Sequence, residues 1–286
     1  MFTVAETSPE VIAVLNRVVM GLQLKTKNVF FQTHQESLYY YILHQPREIW
    51  KQDVLVFDYG RCLKAHRLQW NPKTVPIVFF SDTNTYSDKA EDKAFLAILK
   101  QDYSDERISA VYLLGDGFKG GWMEESLRFL CNRRRVFQGN NLYSKGACYA
   151  MKDKLLPDEE RNNYIYLGED KLKANIGMKV QKGGEDAYFA LLDAGDHWYE
   201  VQAECEVILK SGNEVKFLFT SVTGGLVTEE SIDLTDLPKR RNATTRLHIG
   251  LTMLSAIEVE IVIEDLGFGE FVPATHKIWK KCIELG

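Results

Sequence analysis

Three stretches carry residue types at spacings that suit phosphate and metal chemistry. From Val54 to Lys64 an apolar run ends on the carboxylate of Asp58, turns at Gly60 and returns. Backbone amides of such a hairpin face phosphate oxygens, and an aspartate at the strand end holds a hydrated magnesium ion through water. From Val111 to Gly117 a second apolar run enters the turn Gly115, Asp116, Gly117, which lets a backbone approach a nucleotide closely. From Gly139 to Ala150 a loop feeds a helix start built of small residues. The candidate nucleotide-binding set is therefore Asp58, Gly60, Arg61, Gly115, Asp116 and Gly117, with Asp58 the candidate magnesium residue and no residue assigned as catalytic.

The elements that must position these residues fall into two regions. Val11, Val14, Leu15, Val18 and Val19 recur at helical spacing up to Gly21. Asn28 to Gln32 reads as a short strand and Leu38 to Leu43 as a helix stopped before Pro46. Val54 to Asp58 is a fully apolar strand, Cys62 to Trp70 its antiparallel return, and Pro76 to Phe80 a further strand. A helix over Lys89 to Gln101, a strand over Ala110 to Leu114 and a helix over Trp122 to Asn132, burying Met123, Leu127 and Leu130, complete an alternating α/β pattern.

Beyond Asn163 the period changes to two. Tyr199 to Leu209 alternates apolar with acidic or amide residues, and Ser211 to Asn213 turns it into Glu214 to Phe219 as a hairpin. Leu247, Ile249, Leu251 and Met253 alternate again, as do Ile257, Val259, Ile261 and Ile263. Seven or eight such strands imply an antiparallel β-sandwich, with Glu200, Glu204, Glu258 and Glu260 outward and Val201, Cys205, Ile261 and Ile263 inward. The expected domains are 1–151 and 163–286, joined by a charged, Pro157-containing linker at 152–162.

Composition narrows the function classes. The 286 residues carry 35 basic and 40 acidic side chains, a net charge of -5, which gives phosphate backbones no global attraction. Arg133 to Arg135 comes closest to a local basic stripe, and it reads as cations beside a helix C-terminus, while Tyr39 to Tyr41 reads as packing against the sheet. Nucleic acid is therefore not an expected partner. The sequence has no membrane-length apolar run, its first residues lack the basic start and apolar stretch of a signal peptide, and its five cysteines are widely spaced, so reduced thiols and a cytoplasmic location are expected.

Taken in order, the motifs resemble the second half of the actin and seventy-kilodalton heat-shock chaperone superfamily of ATPases. Gly21-Leu22 through Ile42 follows its helix, strand and Ala-rich helix. Val54 to Leu63 looks like its second phosphate loop, Val111 to Leu127 like its adenosine-side motif, and Ser144 to Ala147 like that motif's closing segment. The resemblance covers residues 8 to 151 and implies an actin-like, ribonuclease H-like half-domain, with ATP and magnesium as cofactors of a complete protein of bacterial type. The departures imply a degenerate site. The superfamily's catalytic Glu falls at His34 or Gln35, the Gly-Gly-Thr of the phosphate loop is Arg61-Cys62-Leu63, and the superfamily's first half has no counterpart. The favoured expectation is a non-catalytic protein-interaction or regulatory module with a protein partner and at most weak nucleotide binding. Two alternatives are an ATPase completed by a missing half and a β-sandwich that binds extended peptides at a strand edge.

Overall fold

The computed structural model describes residues 1–24, 26, 28–86, 91–104, 107–157, 163–222 and 227–285. The chain divides into two compact units, Met1–Gly168 and Glu169–Gly286.

The first unit is a mixed α/β fold. Its elements are β1 (Phe2–Val4), α1 (Pro9–Gly21), β2 (Phe31–Thr33), α2 (His34–Leu43), β3 (Asp53–Tyr59), β4 (Leu63–Asn71), β5 (Ile77–Tyr86), α3 (Asp92–Asp102), β6 (Ile108–Leu114), α4 (Glu124–Leu130), β7 (Arg135–Gln138), α5 (Leu142–Leu155) and β8 (Tyr164–Tyr166). A six-stranded sheet runs in the order β7-β6-β3-β4-β5-β8. Strands β3, β4 and β5 form an antiparallel meander, whereas β6 pairs parallel to β3, β7 to β6 and β8 to β5. Val54, Leu55, Val56 and Phe57 are all buried because helices cover both faces of the sheet. One face takes Leu38, Tyr39 and Ile42 of α2 with Leu142 of α5, and the other takes Phe95 and Leu99 of α3 with Leu130 of α4.

Local chemistry sets the helix starts. Ser8 Oγ accepts from the Val11 amide with Pro9 in the first turn of α1, and Thr33 Oγ1 accepts from the Glu36 amide at 3.1 Å to start α2. Helices α2 and α5 cross so closely that a Cβ added at Gly146 would overlap the Ser37 carbonyl.

The second unit is β-rich. It comprises β9 (Ala174–Lys182), β10 (Glu185–Leu192), β11 (Gln202–Leu209), β12 (Glu214–Ser221), β13 (Val227–Asp233), β14 (Thr245–Ser255), β15 (Glu258–Gly267) and β16 (Ile278–Glu284). Two antiparallel four-stranded sheets, β10-β9-β12-β13 and β11-β14-β15-β16, share one apolar core and so form a sandwich. The alternating side chains Leu247, Ile249, Leu251 and Met253 of β14 are buried against Phe217 and Ile232 of the other sheet. Among the described residues no helix is long and apolar enough to cross a membrane.

The structure corrects several sequence expectations. Strands β11 and β12 are not a hairpin: β11 pairs with β14, while β12 pairs with β9 and β13 in the opposite sheet. Each strand's alternation demands one buried face but does not say which sheet supplies it. Tyr199 to Val201 precede β11, and Val201 and Cys205 are only half-buried, packing at the margin of the sandwich core. Glu200 and Glu204 are exposed, and Glu258 and Glu260 half-exposed. Strand β5 runs on to Tyr86, its second half too polar to register as an apolar run. Strand β2 starts at Phe31 rather than Asn28, and α4 leaves Leu127 39% exposed. Helix α3 starts at Asp92, and the expected start at Lys89 lies outside the described residues.

The domain limits shift as well. Residues 152–155 belong to α5, while 158–162 of the expected linker lie outside the described residues. Tyr164 to Tyr166 join the first unit rather than the sandwich, since Tyr166 is buried, stacks on Tyr39 at 5.0 Å and hydrogen-bonds Ser81 Oγ. Arg134 does meet a helix C-terminus, donating to the Tyr103 carbonyl at 3.0 Å, but that residue ends α3 rather than the preceding helix α4.

Candidate functional site

Parallel pairing of β3 with β6 sets Asp58 opposite Leu114, so that Asp58 and Gly115 meet at neighbouring strand ends. A Cβ added at Gly115 would collide with the Tyr59 carbonyl and come within 3.2 Å of Asp58 Oδ1, and its φ of +91° also calls for glycine. The site is built around this contact.

The Asp58 carboxylate is already engaged. Tyr143, in the first turn of α5, donates its hydroxyl to Asp58 Oδ2 at 2.6 Å. The Tyr143 ring stacks on His34, the first residue of α2, at 4.3 Å. On the same sheet face, β4 sets Lys64 opposite Asp58 and His66 opposite Val56, and His66 Nδ1 hydrogen-bonds Thr83 Oγ1 of β5 at 2.8 Å. Burial lowers the pKa of both imidazoles, against the opposing pull of Asp58, and brings His66 down to about 4. Burial raises the Tyr143 phenol, and its hydrogen bond to Asp58 raises it further. The result is a carboxylate held by a phenol that keeps its proton, with two neutral imidazoles nearby.

The adenosine-side turn is also filled. Asp116–Phe118 forms one 3₁₀ turn, and a Cβ at Gly117 would overlap the Tyr59 ring. Tyr59 packs edge-on to Phe118 and Trp122, and Trp122 Nε1 donates to the Gly117 carbonyl at 2.8 Å. Asp116 points to solvent and pairs with Lys119 at 2.7 Å. Gly60 and Arg61 lie on an exposed hairpin tip, where nothing comes within 4 Å of a Cβ added at Gly60. Of the six residues read from sequence, then, Asp58 and Gly115 converge, Gly117 lies beneath an aromatic ring, and Gly60, Arg61 and Asp116 face outward.

Residues 1–169 match the model for the family of unknown function (DUF5716), C-terminal. The chain belongs to that family. The match ends one residue past Gly168, where the first unit of the fold ends, and residues 171–285 match the domain of unknown function (DUF8552). No curated protein matches the chain. The family's part of the chain thus holds the whole Asp58 cluster.

Sequence reading missed Tyr143, His66 and Thr83. Tyr143 sits inside the third stretch, where a lone aromatic among small residues carries no sign of its partner. The period-two pattern of β4 was the available signal for His66, because it sets that residue on the face shared with Lys64 and Leu68.

Proposed function

We propose that the first unit is a degenerate actin-like half-domain acting as a protein-interaction or regulatory module, with the sandwich as its appended binding domain. The observation that carries this reading is that Asp58 and Gly115 converge at paired strand ends while tyrosines engage both halves of the would-be nucleotide site. Strand order supports it: a meander, β3-β4-β5, extended from β3 by the parallel strands β6 and β7 through helical crossovers, suits a ribonuclease H-like half.

These residues do not fit a magnesium nucleotide. A metal-bound water at Asp58 would share the carboxylate with the Tyr143 hydroxyl, the Gly117 backbone lies under Tyr59, and Arg61 stands on an open tip. Phosphoryl transfer needs charge stabilisation from groups around the phosphates, and losing one such donor costs about 10²–10³ in rate. Calorimetric titration with ATP and magnesium, beside a phosphate-release assay, tests the reading. Binding no tighter than about millimolar, worth roughly 4 kcal/mol, with no turnover is expected. Micromolar affinity, or turnover abolished by Asp58→Ala, overturns it in favour of an ATPase.

A further inference from the structure

Helix α1 spends only part of its apolar surface on its own unit. At about 100° per residue its Val, Leu and Ile side chains cover an arc of roughly 160°, with Met20, 76% exposed, outside it. Ile12, at one edge of that arc, is buried, whereas Val14 and Val18 toward the other edge are 47% and 46% exposed, and Leu22, just past the last helical residue, is 52% exposed. Ser8 and Pro9 fix the helix start, so this face is presented by an ordered element.

We propose that this face pairs, antiparallel and about a two-fold axis, with α1 of a second copy of the chain. Val11, Val14 and Val18 follow the three-four spacing of a short coiled-coil seam, and Glu10 and Arg17 each stand one residue before a seam position, flanking it on one side. An antiparallel two-fold through Val14 sets Val14 against itself and brings Val11 within one residue of level, about 1.5 Å of helix rise, with Val18 of the other copy, and Glu10 likewise with Arg17 of the other copy. Symmetry makes that ion pair twice, as an isologous interface requires. A parallel pair sets Glu10 and Arg17 against Leu15 and Leu22 instead and leaves both charges unmatched. Within the chain, neither Glu10 nor Arg17 forms an ion pair with a described residue. The β-branched seam has little rotamer freedom to lose and allows close helix approach.

A seam of one short helix buries less than a standard interface, so the dimer is weak, with a Kd of about 100 μM. Sedimentation velocity from about 10 to 500 μM should show the weight-average coefficient rising with concentration. Val14→Asp should stay monomeric throughout with an unchanged melting temperature, since the side chain is half-exposed. Glu10→Arg or Arg17→Glu alone should weaken the dimer about tenfold, and the double exchange should restore it. A wild-type chain that is monomeric at the highest concentration overturns the proposal. So does a Val14→Asp variant that dimerises normally, or a double exchange no better than the singles.

Discussion

His66 is an imidazole placed where a proton is costly: it is buried on β4, its Nδ1 bonds to Thr83, and its pKa is near 4 instead of 6.5. A folded-state pKa below the unfolded one means the unfolded chain takes up the proton first. The neutral histidine's stabilisation is therefore present above pH 6.5 and is lost as the pH falls from 6.5 to 4. Stability should drop over that window by up to about 3 kcal/mol, and His66→Gln should flatten the urea-midpoint profile there. A slope unchanged in the variant refutes the assignment. Asp58 and Gly115 were legible in the sequence because each follows an apolar run, and such runs mark strand ends. The tyrosines that occupy them were not: Tyr143 lies 85 positions from Asp58, and no local pattern records a contact made only when α5 packs against β3.

Elements were legible where burial is one-sided or total. Strands β3, β4, β6, β14 and β15 announce themselves by apolar runs or strict alternation. Pairing was harder to read, and the supposed β11–β12 hairpin failed because a four-residue connection serves equally to turn within a sheet or to cross to the facing one. Helix α1 was recognised by its period, but the sequence did not reveal that half of its apolar arc stays exposed. Small residues in α5 were read as part of a nucleotide motif, and the structure gives Gly146 a packing reason instead. Gly146→Ala should force α2 and α5 apart, because the obstruction is backbone and cannot rotate away. A loss of about 3 kcal/mol is expected in chemical denaturation, despite alanine's better helix propensity. A stabilised variant contradicts the close crossing.

At the scale of the whole chain, two compact units divide at Gly168, within three residues of where the two matched models change over. The sequence expectation of a linker at 152–162 was early because the composition shift begins before β8, whose pairing is long-range. Residues 169–286 own a complete sandwich core and should fold alone, giving one cooperative thermal transition. A fragment starting at 163 should be no more stable, since Tyr164 and Tyr166 leave their aromatic neighbours in the first unit behind. A molten fragment at 169, rescued by starting at 163, counts against the division.

The three-residue strand β8 is also a mechanical clasp. It lies parallel to β5 at the sheet edge, with the Leu167 amide bonded to the Phe79 carbonyl and the Tyr166 hydroxyl to Ser81. Tension on the chain at Gly168 reaches this clasp before any other part of the first unit's sheet. Drawn along the strand, the pairs share the load and yield together; drawn away from the sheet, they open one after another from the Leu167 end. The joint therefore resists sliding and gives way to peeling, so the direction of a pull decides whether the first unit keeps its last strand.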